Sequence, residues 1–236
     1  FKTTMRLHDA EMIGSTNARW GITEGNPIHD AIRRIAAHVG VHFSVDVAIN
    51  RNREITSLAA GNLFEVHRIM AARVKQTAMQ AFDAPFDVVV TTNSGYPLDQ
   101  NLYQSIKGVS AAAQVVKPGG AIICVAECSD GMPSHGEYGD ILNQRDTPED
   151  LLEMICTPGH NRHDQWEVQI QAQIQQQAQI FLKSDGLSHN DVRAAHLMPI
   201  DDVESTVLQQ LDHAGNEAQL CVLPEGPQTI PYLTAR

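Results

Sequence analysis

Residues 86–126 constrain the fold more tightly than any other part of the chain. Phe86-Asp-Val-Val-Val-Thr-Thr92 is an apolar run with the length and β-branched content of a buried parallel strand. Gly95 and Pro97 break it, because one permits unusual backbone angles and the other cannot donate to a ladder. From about Asp99 the pattern turns helical, with Leu102, Ile106, Val109, Ala113 and Val116 forming one stripe. After Lys117-Pro-Gly-Gly120, Ala121-Ile-Ile-Cys-Val-Ala126 supplies a second buried strand. Strand, crossover helix and strand over about forty residues predict a right-handed βαβ unit. The expected class is α/β, with a doubly wound, Rossmann-like domain over residues 84–215 and part of a second α/β domain before it.

On the same helix, at roughly 100° per residue, Tyr103, Gln104 and Lys107 project from the side opposite the stripe. A phenol, an amide and an ammonium thus stand together beyond the carboxyl end of a strand, where ligands bind in open α/β sheets. For any amphipathic helix, solvated polar residues are the commoner meaning of such a trio. The wording of the segment says more.

Gly95-Tyr-Pro-Leu-Asp-Gln-Asn-Leu-Tyr-Gln-x-x-Lys107 closely resembles the segment that marks the nickel-dependent lactate racemase family. The likeness runs from about His8 to Tyr232. Its other strong points are Gly25-Asn-Pro27, Ala60-Gly61, residues 115–131 and Leu223-Pro-Glu-Gly-Pro227. The resemblance implies a nickel pincer nucleotide (pyridinium-3,5-bisthiocarboxylic acid mononucleotide nickel), whose hard chemistry the protein orients and polarises. It implies that this cofactor accepts a hydride from the α-carbon of a 2-hydroxy acid, giving a transient 2-keto acid. Return of the hydride to the other face inverts the centre. His8 is then the candidate nickel ligand, since imidazole suits nickel and the pincer leaves one position for it. Lys107 and Gln104 become candidate catalytic residues, and Tyr103, Gln104 and Lys107 the substrate-binding set, with Lys107 meeting the carboxylate.

Proteins of this kind anchor the cofactor on a lysine and use two histidines as general acid and base. All three precede the nickel-binding histidine, and none has a counterpart here. The resemblance therefore implies that an amino-terminal portion of the same protein is the partner of this chain, which alone should be inactive. A start at Phe1 is what a processed, tagged or truncated product would show. The alternative from another class is a catalytically silent α/β module that binds a small anion through Lys107 and Gln104. A methyltransferase-like turn at residues 116–123 ranks last, because no G-x-G-x-x-G follows a strand.

The remaining chain reads as follows. Asn26-Pro27 starts a helix whose apolar face is Ile28, Ile32, Ile35, Ala36 and Val39, and Gly40 ends it. Residues 42–49 alternate strictly, predicting a half-buried strand with Phe43, Val45, Val47 and Ile49 inward. Residues 55–60 pair back as a hairpin, and a helix runs from Gly61-Asn62 to about Phe82. Asp83-Ala-Pro85 marks a domain junction, so residues 1–83 are assigned to part of a cofactor-binding domain. The tail 216–236 is expected to rejoin that domain. Thr147-Pro-Glu-Asp150 is a capping signature. Residues 163–175 alternate like a strand, yet their Gln-rich composition favours the helix expected here. Strands are expected at 178–183, 193–198 and 218–223, a helix at 201–212, and an extended tail from Pro224. Asp130 and His135 read as loop residues, and His67 as structural.

Length and charge set the outer bounds. The 236 residues suffice for one large or two small domains. A formal charge of −11 argues against a nucleic-acid or anionic-membrane surface, while allowing a local basic pocket for a small acid. No apolar run approaches the ~20 residues of a membrane span, and no signal peptide opens the chain. Four cysteines without a Cys-x-x-Cys pair are expected to be reduced and mostly packing, in a cytoplasmic protein.

Overall fold

The computed structural model describes residues 2–234. In chain order its elements are α1 (Lys2–Leu7), α2 (Ala10–Ile13), α3 (Pro27–Val39), β1 (Ser44–Ile49), β2 (Ile55–Gly61) and α4 (Leu63–Ala78). Next come β3 (Met79–Phe82), β4 (Phe86–Thr92), α5 (Leu102–Ala112), β5 (Val116–Val125), α6 (Tyr138–Leu142), α7 (Pro148–Cys156) and α8 (Gln165–Gln175). The chain ends with β6 (Gln179–Lys183), α9 (His189–Ala194), β7 (Met198–Pro199), α10 (Val203–Ala214), β8 (Leu220–Leu223) and β9 (Ile230–Leu233). Two compact units result: Ser15–Met79, and the residues up to Gly14 together with those from Gln80 onward.

The larger unit is built on a parallel sheet of order β7-β6-β5-β4-β8. Val89, Ile122, Ile123 and Cys124 are fully buried in it, which explains the apolar runs at residues 88–90 of β4 and 121–125 of β5. The expected strand–helix–strand unit is β4, α5 and β5, so the α/β class and the helix-flanked parallel sheet are both observed. From β4 the sheet grows to one side through β5, and β8 returns on the other. The strand order thus reverses between β4 and β8, and such a switch opens a crevice beyond the carboxyl ends of the strands. Two glycines let the chain close on this point. A Cβ on Gly108 of α5, or on Gly226 after β8, would overlap the Thr92 carbonyl oxygen at the end of β4.

Several expected boundaries move. Val116 belongs to β5, not to the helical stripe, and Lys117-Pro-Gly-Gly120 lies inside that strand, where its register with β4 slips. Helix α4 stops at Ala78, and Met79–Phe82 pairs with β9. Residues 193–198, expected as a strand, are mainly the end of α9 and the turn after it. Ser188 and Asp191 form a reciprocal capping box that starts that helix and outweighs the apolar pattern. The tail contains a 3-10 turn at Gly226–Gln228 and the strand β9. With β8 in the parallel sheet and β9 on β3, the tail packs within the larger unit, as do the residues up to Gly14. The break falls after Met79, a few residues before the expected junction.

In the smaller unit Asn26 caps α3 as expected, its side chain accepting from the Ile28 and His29 backbone amides. Strands β1 and β2 form the expected antiparallel hairpin. The direction of its apolar face differs from expectation. Helix α4 packs Val66 and Met70 on Ala48 and Ala59, which is the opposite face. Phe43, Val45 and Ile49 are exposed instead, as are Ile32, Ile35 and Val39 of α3. No described helix is long and apolar enough to cross a membrane.

Candidate active site

The connection from β4 to α5 is held by its own polar groups. Thr92 Oγ1 donates to the Pro224 carbonyl (2.8 Å) and accepts from the Ser94 amide (2.9 Å), joining the ends of β4 and β8. Ser94 and Gly95 both adopt positive φ (64° and 74°), which turns the chain sharply. The buried Asp99 carboxylate accepts from the Glu127 amide (3.0 Å), and its carbonyl accepts from the Cys128 amide (3.0 Å). Asn101 then caps α5 by accepting from the Gln104 amide (3.1 Å). The first turn of α5 is therefore fixed before any ligand arrives.

The structure brings Tyr103, Gln104 and Lys107 together on that turn, half-buried. Lys107 Nζ donates to Gln104 Oε1 at 2.6 Å and lies 5.9 Å from the Tyr103 ring centroid. Across from them, Trp166 Nε1 donates to Tyr103 Oη at 2.9 Å. Tyr103 also packs edge-on against the buried Tyr138, with centroids 5.5 Å apart. Burial pushes the Tyr103 phenol up to about 12, so it stays neutral.

His8 joins the same group from the other end of the sequence. Its ring lies 4.6 Å from that of Trp166, and Nδ1 donates to the Thr4 carbonyl at 2.8 Å. In the neutral ring this bond leaves the lone pair on Nε2. His163 packs edge-on against the same indole at 5.2 Å.

Sequence reasoning missed Trp166 and Glu167. Trp166 connects His8 to Tyr103, yet it sits where the strand-or-helix ambiguity of residues 163–175 hid its direction. As one of two tryptophans, opening a helix beside polar residues, it was the available signal. Glu167 is buried, and burial raises its carboxyl to about 7, although the Lys107 charge acts to lower it and Asp164 to raise it. His163, Trp166 and Glu167 thus stand on the second side of the candidate site. His67, read as structural, lies in the smaller unit with its Nε2 3.3 Å from that of His29.

A family model described as the lactate racemase C-terminal domain matches residues 81–230. The chain is 32% identical over 225 residues to the lactate racemase of Thermoanaerobacterium thermosaccharolyticum, covering 94% of this chain and 52% of that protein. It is 32% identical over 228 residues to the lactate racemase of Lactiplantibacillus plantarum, covering 96% and 53% respectively. Among solved structures it is similar to the lactate racemase apoprotein from T. thermosaccharolyticum, with a TM-score of 0.89 and 30% identity over 96% of this chain and 54% of that one. A protein from Thermotoga maritima, at 12% identity and a TM-score of 0.59, shares the fold alone. The chain spans about half the length of the curated relatives it matches. By its match over residues 81–230 and these likenesses, the chain belongs to the lactate racemase family.

Proposed function

We propose that this chain forms one wall of the active site of a 2-hydroxy-acid racemase, with lactate or a close analogue as substrate. The observation that carries the reading is the hydrogen-bond account of the α5 turn. Gln104 Oε1 is taken by Lys107, so the amide keeps its N–H donors. Tyr103 Oη accepts from Trp166, so the phenol keeps its proton to give. Lys107 has spent one of its three donors. What remains is almost entirely donor, and a carboxylate with a neighbouring hydroxyl is the acceptor-rich ligand that such a surface suits.

On this reading Lys107 meets the carboxylate by a charge-assisted bond, with Gln104 donating beside it. Tyr103 donates to the oxygen on C2 and steadies it as C2 becomes planar. Trp166 and Tyr138 wall the site and keep water from the reacting carbon.

The donor set at His8 fits the nickel pincer nucleotide that the family implies: one imidazole nitrogen committed to Thr4, the other left for a single bond to nickel. When bound, that cofactor supplies the hydride acceptor. General acid–base groups would come from a segment outside these 236 residues. The silent anion-binding alternative gains no support, because both curated matches are racemases.

A chiral assay on the longest natural form of the protein, made in a host that synthesises the cofactor, tests the reading. Interconversion of D- and L-lactate is expected, with Lys107→Ala lowering kcat/KM about 100-fold or more. A cofactor-loaded protein that interconverts no 2-hydroxy acid would overturn it.

A further inference from the structure

The starts of α6 and α8 both stand beside Tyr103, and neither is capped in the ordinary way. Helix α6 begins after Glu137 and α8 after Asp164. A carboxylate at such a position ordinarily accepts from an amide in the first turn of its own helix. Here neither does. The two residues exchange bonds instead. Asp164 Oδ2 accepts from the Glu137 backbone amide at 3.1 Å, and Glu137 Oε2 accepts from the His163 backbone amide at 2.8 Å. Arg162 reinforces the exchange, its Nε and Nη2 donating to Glu137 Oε1 at 3.2 and 2.8 Å.

The backbone is shaped to this exchange. Asp164 is buried and holds φ at 69°, a left-handed conformation uncommon for a residue with a side chain, which persists where its surroundings over-determine it. Its other oxygen, Oδ1, lies 3.1 Å from His163 Nδ1. Gly136, also at positive φ (77°), leaves the room that the carboxylate occupies: a Cβ there would overlap Asp164 Oδ2.

The two segments joined in this way carry both neighbours of the Tyr103 ring. The residue after Glu137 is Tyr138, buried and edge-on to Tyr103. Two residues after Asp164 comes Trp166, whose Nε1 donates to Tyr103 Oη. That bond sets where the phenol proton points, because the oxygen that accepts the indole N–H must donate in another direction. We infer that Glu137 and Asp164 are positioning residues, whose exchanged bonds hold Trp166 on Tyr103 and so aim the phenol proton at the C2 oxygen of a bound 2-hydroxy acid. The aim at substrate rests on the proposed function; the hold on Trp166 does not.

The test uses the longest natural form of the protein, loaded with cofactor. Asp164→Gly is the first variant, since glycine keeps the left-handed backbone and removes the carboxylate. In proton–nitrogen correlation spectra the Trp166 indole N–H, assigned by its loss in Trp166→Phe, should exchange with water at least about tenfold faster. The kcat should fall about tenfold or more with KM changed less than about threefold, because Tyr103 acts at the reacting oxygen while Lys107 still holds the carboxylate. Asp164→Asn keeps an acceptor and tolerates the same backbone, so it should restore the indole signal and most of kcat. Should Asp164→Gly fail to fold, Glu137→Ala repeats the test at a partly exposed side chain, with the same changes expected. An unchanged indole signal in a folded variant would overturn the inference. So would a displaced indole with kcat intact, or a loss that Asp164→Asn does not rescue. A wild-type protein that turns over no 2-hydroxy acid would remove the functional reading and with it the aim at substrate; the indole response would still decide the hold on Trp166.

Discussion

At Glu167 a carboxyl is buried near Lys107 of α5. Burial raises it to about 7, against the opposing pull of the Lys107 charge. The unfolded chain releases this proton near 4.5 and the folded chain near 7, so between those values the folded protein holds more protons. Stability therefore falls as pH rises across that window, by about 3 kcal/mol in all. Glu167→Gln should remove that slope, which urea unfolding at about pH 5 and about pH 8 would measure in both proteins. Equal slopes would contradict the buried-carboxyl account. A second prediction uses the Trp166–Tyr103 bond as a reporter. In a Trp20→Phe background, a small carboxylate such as lactate should change Trp166 emission, and Lys107→Ala should weaken that response about tenfold or more. An unchanged affinity would detach Lys107 from the anion.

Helix α5 lies close to β4 because Gly108 has no side chain where the two meet. In an ordinary helix interior Gly→Ala stabilises by up to about 1 kcal/mol. Here the added Cβ would overlap the Thr92 carbonyl oxygen, so Gly108→Ala should destabilise by about 2 kcal/mol or more. A stabilised variant would refute the close approach. This element was legible in the sequence, because a buried strand, a break and a 3.6-residue stripe follow one another within it and each has a local cause. The trio on α5 was legible for the same reason. Trp166 and Glu167 were not, since what ties them to the candidate site is the Trp166–Tyr103 hydrogen bond and the Lys107 charge felt at Glu167, from residues some sixty positions earlier in the chain. The α9 segment misread as a strand shows a local cap overriding an apolar pattern. The hairpin shows the reverse limit: its alternation was plain, but a pattern of period two does not say which face α4 covers.

For the molecule as a whole, the parallel sheet gathers positions that are far apart in sequence. His8, Tyr103 and Trp166 meet within one compact unit, on a chain of net charge −11 where Lys107 provides a local positive group. The proposed role of His8 is to present a single nitrogen to a nickel cofactor at that place. Elemental analysis for nickel tests it most directly, on the longest natural form made in a host able to synthesise the pincer cofactor. About one nickel per chain is expected, lost in His8→Ala while the circular dichroism spectrum is unchanged. A nickel-free protein from that host, or nickel fully retained in His8→Ala, would contradict it.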